Sequence, residues 1–237
     1  LGIIIDGEFS DWNDVQPFYN LDHNIQDNAI QIDTFKMHFL NDYLSFYIKT
    51  NNSLFTYMGT DDMENSYSSF IVFVDYDGSN STGYNIANIG ADYLLEIGGG
   101  FGIVNVSRYA AWSESEQNRD NYAAFQDWYG IKSAYKNNEL EMKVYLPRDS
   151  KSVEPRAYIV SMNHLGESDY TENVFRYDRS ALTVTQSSIY TGNVSIGQKD
   201  VPLLNLTFYG QPENITLKQL NFNISNTTLL SDELRVT

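Results

Sequence analysis

The clearest hydrophobic pattern in the chain is the unbroken run Phe-Ile-Val-Phe-Val at residues 70–74. Its length and β-branched content predict a strand buried on both faces. It runs into Asp75-Tyr-Asp77-Gly78, a turn that carries two carboxylates, and an apolar strand resumes at Leu94, Leu95 and Ile97. Elsewhere the apolar positions alternate. In residues 31–39 the set Phe35, Met37 and Phe39 carries the apolar weight, as in a half-buried strand. Asn41-Asp42 reads as a hairpin turn, and residues 43–50 as the returning strand. Residues 103–110, 139–146 and 156–162 predict further strands. Residues 3–5 predict a short opening strand before a sharp turn at Asp6-Gly7, with Trp12 folded back as a core anchor. Residues 51–68 read as a polar loop, Gly98-Gly-Gly-Phe-Gly102 as a hairpin tip, and residues 110–135 as a polar stretch. No helical periodicity competes with this pattern, so the fold class is all-β: a jelly-roll-like antiparallel β-sandwich over residues 1–181. A small, incomplete β-sandwich module follows over 182–237, where charge thins and strand-like segments fall near 182–185, 201–209 and 215–224.

Composition narrows the functional classes. With 15 Lys plus Arg against 31 Asp plus Glu, the formal charge is −16, which repels nucleic acid and anionic lipid. Neither is expected as a partner, and no apolar run is long enough to insert in a membrane. The absence of cysteine removes disulfides and thiol chemistry. No signal peptide is visible, so a secreted form would be a mature or trimmed chain. The Asn-x-Ser/Thr pattern occurs at Asn51, Asn80, Asn105, Asn193, Asn205, Asn214, Asn223 and Asn226, crowding toward the C-terminal end. Apolar middle residues at Asn193, Asn205, Asn214 and Asn223 place the asparagine and the hydroxyl together on the solvent side of a strand. N-glycosylation at these positions, and hence a secreted or cell-surface location, is the expectation.

Asp75 and Asp77 suit a hard, oxygen-ligated cation such as calcium, with Asn80, Asp92 and the early Asp6 as further oxygen donors. A solvated Asp/Gly turn is the plainer reading of the same string. The opening Ile-Asp-Gly-Glu-Phe-Ser-Asp-Trp, then Val-Asp-Tyr-Asp-Gly with Thr-Gly-Tyr, then Gly-Ala-Asp-Tyr-Leu-Leu-Glu-Ile, resembles the carbohydrate-binding-module family 9-like and DOMON-like sandwiches of secreted prokaryotic and archaeal surface proteins. The resemblance spans roughly residues 3–165. It implies a jelly-roll-like sandwich, often with structural calcium, that sometimes binds sugar and often serves as a spacer. The C-terminal part resembles the start of a second sandwich domain.

No catalytic motif stands in its required context, and His23, His38 and His164 are the only histidines available as bases. The chain is therefore read as a non-catalytic structural protein, a subunit or segment of a surface layer (S-layer) or filament. Its expected partner is itself: a C-terminal module with too few strands to close invites β-strand donation from a neighbouring copy. The alternative is a carbohydrate-binding module recognising an extracellular polysaccharide, with Trp112 and Trp128 as the stacking platform. A glycosidase-like enzyme stands third.

Overall fold

The computed structural model describes residues 2–21, 25–56, 67–146 and 155–176, together with the backbone of two later strands. The described strands are β1 (Phe18–Tyr19), β2 (Ile32–Leu40), β3 (Tyr43–Thr50), β4 (Ser68–Asp75), β5 (Tyr84–Ile86), β6 (Ile89–Ala91), β7 (Tyr93–Gly100) and β8 (Ile103–Trp112). They continue as β9 (Phe125–Gly130), β10 (Lys132–Lys136), β11 (Glu139–Tyr145), β12 (Arg156–Asn163), β13 (Ser168–Tyr170), β14 (Phe175–Arg176), β15 (Thr183–Ser188) and β16 (Leu204–Tyr209). Five strands form one sheet in the order β1-β2-β3-β11-β10, and seven form the other as β13-β12-β4-β7-β8-β9, with β14 also on β12. All described pairings in these sheets are antiparallel. The protein is an all-β sandwich.

The two sheets bury one common core that includes Phe35, Phe46, Phe70, Val72, Leu95 and Met142. Along β2, Phe35, Met37 and Phe39 face this core, which the alternation predicts. Tight turns set the registers. Asn41 and Asp42 both have positive φ (51° and 65°), as a two-residue hairpin matched to strand twist requires. The turn between β7 and β8 is likewise made by Phe101 and Gly102 (56° and 75°). Gly98–Gly100, expected in that tip, belong to β7 itself. A Cβ on Gly98 would stand 2.0 Å from the Tyr67 hydroxyl, so the strand is bare there to let Tyr67 lie across it. The sandwich sides are stitched by polar side chains: Asp169 of β13 accepts the Ile32 N–H at 2.6 Å, and Asn20 donates to the Tyr170 carbonyl at 2.9 Å.

Residues 110–135, expected as a polar stretch, instead contain the end of β8, all of β9 and most of β10. Nearly all of β9 is exposed, which is why no inward alternation marks it. Residues 3–5, expected as a strand, enter no sheet. They belong to a strap, residues 2–15, that lies on the outer face of the five-stranded sheet and is held by side chains instead of a ladder. Glu141 of β11 is fully buried and accepts the N–H groups of Asp6 and Gly7, each at 2.8 Å, and the Trp12 indole N–H at 2.9 Å. The Ile3–Ile4 peptide is gripped from both sides, its carbonyl accepting from Lys143 and its N–H donating to Asp11 at 2.7 Å. Ile3, Trp12 and Val15 pack on Tyr47 to form a small core of their own. Trp12 is thus the anchor its position suggests, and the Asp-Gly-x-Phe-x-Asp-Trp motif is a docking motif for Glu141.

In the C-terminal part, β15 and β16 pair with each other. The boundary expected at 181/182 and the strand expected at 215–224 lie outside the described residues.

Replacing Glu141 by Ala leaves three donors without an acceptor, an expected loss of about 3 kcal/mol measured by urea unfolding. His38, buried beneath the strap, has its pKa pushed down to about 4, by burial first and then by Lys143, against a pull from Asp11. The unfolded chain then binds the extra proton between about pH 6.5 and 4, so stability present above pH 6.5 falls as pH drops through this window. The contribution is on the order of 3 kcal/mol. His38→Gln should flatten this part of the stability–pH curve, while an unchanged slope would assign it to other groups.

Candidate metal centre and neighbouring groove

Strand β4 is buried at every position from Ser68 to Asp75. Its final carboxylate is carried into the interior by strand geometry, since the ladder to β7 and β12 fixes where Asp75 must lie. The side chain of Asp75 has no exposed surface. One oxygen, Oδ2, is ion-paired with the Arg156 guanidinium across the β4–β12 ladder. The other, Oδ1, is buried without a hydrogen-bond partner. Burial pushes the Asp75 pKa up, and Arg156 with the Gly78 amide pulls it back.

Two further carboxylates converge there. Asp92, just ahead of β7, accepts the N–H groups of Tyr76 (2.7 Å) and Asp77 (3.2 Å) through Oδ2. Asp77 accepts from the Ser79 N–H at 2.8 Å and the Thr82 hydroxyl at 3.0 Å. One oxygen from each of Asp75, Asp77 and Asp92 lies within 4.8 Å of the others. Desolvation, with repulsion from Asp77 and Asp75, raises the Asp92 pKa to about 7 despite its two amide bonds. An all-oxygen donor set of three close carboxylates is the kind of group that could hold a hard divalent cation.

The surrounding loop is rigid for local reasons. Gly78 and Gly83 have φ of 72° and 62°. A Cβ on Gly90 would fall 1.9 Å from the Thr82 carbonyl oxygen, so the loop packs flat on Gly90. Arg119 ties it down, donating to the Gly83 carbonyl at 2.9 Å and the Thr82 carbonyl at 2.8 Å. The Thr-Gly-Tyr and Gly-Ala-Asp segments are therefore the two halves of one loop support.

Among the expected ligands, Asp75 and Asp77 come together and are joined by Asp92. Asn80 sits exposed at the loop tip. Asp6 belongs elsewhere. Its carboxylate accepts the Glu8 N–H at 2.9 Å, and its backbone docks on Glu141 of the other sheet. The strand pairing of β4 with β7 is what brings Asp92 to Asp75, and no pairing among the described residues brings Asp6 there.

The outer face of the seven-stranded sheet carries a second apolar core, in which Phe73, Leu94, Ala110 and Trp112 are covered by Ile89 and Phe125. Trp112 is 8 % exposed and packs edge-on against Phe125, so it offers no open face to a sugar. Trp128 is 37 % exposed, with the Arg108 guanidinium 4.0 Å over its ring and Arg108 paired to Glu96 at 2.7 Å. The two tryptophans do not form one platform. Beside this core an open groove of about 530 Å³ is lined by Tyr67, Ile71, Glu96, Tyr122, Met162 and His164. Sequence reading missed it, because its aromatic walls come from Tyr67 and Tyr122, which no motif joins.

The sequon asparagines Asn51, Asn80 and Asn105 are all exposed. Asn205 lies in β16, and Asn193, Asn214, Asn223 and Asn226 lie outside the described residues. His23 also lies outside them. Among the described residues, no helix is long and apolar enough to cross a membrane. No protein-family profile, curated protein or solved structure matches the chain.

If the three carboxylates hold calcium, a hundredfold excess over its dissociation constant should stabilise the fold by about 2.7 kcal/mol, a melting rise of roughly 5–10 °C. Asp92→Asn keeps an acceptor for the Tyr76 N–H but removes one of the mutually repelling charges. The variant should melt as high as the parent or higher without metal, and lose the calcium-dependent rise. Differential scanning calorimetry with and without chelator reads both effects.

Proposed function

We propose that the chain is a non-catalytic, extracellular structural protein, a subunit or segment of a cell-surface layer or filament, stabilised by calcium and N-glycans. The observation that carries this reading is the buried, half-partnered carboxylate of Asp75 facing Asp77 and Asp92. A cation there binds the folded state alone and locks the loop between β4 and β7. Supporting it are the charge of −16, which keeps such a protein soluble and extended toward divalent ions, and the exposure of Asn51, Asn80 and Asn105. In this reading the resemblance to family 9-like and DOMON-like modules reflects a spacer role. The partner is a further copy of the chain. Among the described residues β15 and β16 form a two-stranded ribbon, which is marginal alone, and a strand donated by a neighbour would extend it.

A second reading, recognition of extracellular polysaccharide, is favoured by the groove rather than by Trp112. Tyr67 and Tyr122 supply aromatic faces, and the Glu96–Arg108 pair supplies hydroxyl-binding oxygens and N–H groups at its edge.

Electron microscopy of native material and light scattering of the purified chain separate the readings. Filaments or sheets, with an intact mass above the bare 27.1 kDa polypeptide, are expected for the structural protein. A monodisperse, unglycosylated monomer would overturn it. Glycan-array binding that Tyr122→Ala weakens at least tenfold would establish the second.

A further inference from the structure

We propose that Tyr43 and Tyr145 form an oxidative cross-linking site, at which a one-electron oxidant joins their rings by a carbon–carbon bond into a dityrosine staple across β3 and β11. This goes beyond the structural role above and does not depend on it. The two residues are direct cross-strand partners at the end of the β3–β11 ladder. Their ring centroids are 5.2 Å apart, the shortest separation between two tyrosine rings among the described residues. The interplanar angle of 55° and exposures of 44 % and 51 % leave both rings free to rotate toward each other and open to an oxidant.

Competing pairs are worse placed. Tyr76 and Tyr93 are 5.9 Å apart, but Tyr76 is buried and its hydroxyl donates to the Leu146 carbonyl. Tyr109 and Tyr129 lie 5.6 Å apart, and Tyr109 packs against the main core. Tyr158 and Tyr170 are 6.5 Å apart. The backbone beneath Tyr43 and Tyr145 is fixed, since Leu146 N–H closes the sheet end onto the Asp42 carbonyl at 2.8 Å. The Lys143 ammonium lies 5.4 Å over the Tyr43 ring, on the same face of the sheet. Coupling therefore needs side-chain rotation and no strand movement.

The chemistry balances with a peroxide as the oxidant. Each phenol loses one electron and one proton, and the two phenoxyl radicals couple at carbons ortho to oxygen. Both rings recover aromaticity by moving the ortho hydrogens to oxygen. One hydrogen peroxide accepts the two electrons and two protons and leaves as two waters. In a chain with 18 tyrosines and no cysteine, this is a covalent staple that an oxidising surroundings can form where a disulfide cannot.

The test treats the dilute full-length protein with hydrogen peroxide and a peroxidase, then reads dityrosine fluorescence and maps linked peptides by mass spectrometry. The expected product is an intramolecular Tyr43–Tyr145 peptide pair lacking two hydrogens, in several-fold excess over any other tyrosine link. Tyr43→Phe and Tyr145→Phe should each cut the intramolecular dityrosine signal several-fold while leaving the melting temperature of the untreated protein unchanged. The cross-linked protein should melt higher, because the bond closes a long loop in the unfolded chain. Equal yields at other pairs, links formed only between molecules, or full signal in either variant would overturn the proposal.

Discussion

A strand buried along its whole length has to end somewhere, and β4 ends in a carboxylate. That placement governs one end of the sandwich. Residues Phe70, Val72 and Val74 face the main core, while Ile71 and Phe73 face the second apolar layer, so β4 cannot shift register without exposing one layer or the other. Asp75 is consequently fixed in the interior, and Arg156 satisfies only one of its two oxygens. The loop to β7, with its glycine contacts and its clamp by Arg119, lies against this half-partnered carboxylate. Hydrophobic burial thus sets up an electrostatic demand at the end of β4.

Much of this was legible in the chain, and the reasons are specific. The apolar run at 70–74, the alternation of Phe35, Met37 and Phe39, and the Asn41-Asp42 turn each report a backbone state directly. The edges were not legible. β9 is exposed at nearly every position, and Asp127 adopts a positive φ of 55° beside a ladder irregularity, so no period-two signal survives. Trp112 lies in a polar stretch of sequence, which made it a candidate for the stacking platform of the carbohydrate-binding alternative. It is buried by a second core on the outside of a sheet, where β5, β6, Ala124 and Phe125 pack with residues of β4, β7 and β8.

Glu141 illustrates the same limit on the opposite sheet. It occupies the polar phase of a cleanly alternating strand, together with Glu139, Lys143 and Tyr145, and by pattern alone it belongs to a solvent-facing row. The strap turns that row into an interface. Its two amides and one indole N–H converge on a carboxylate that pattern reasoning assigns to water. Trp12 was foreseeable as an anchor; its hydrogen-bonding partner, more than a hundred residues away, was not.

The way the strap is attached also shapes what happens when it lets go. Its backbone is held by the side chains of Asp11, Glu141 and Lys143, and by Lys36 on the Trp12 carbonyl, instead of by a strand ladder. Transient opening therefore uncovers a row of ionisable groups, His38, Lys143 and Glu141, that water solvates at once. It frees no unpaired strand edge and only a small apolar footprint around Tyr47. Loosening of a strap of this design wets the surface beneath it and exposes no open ladder for another chain to join.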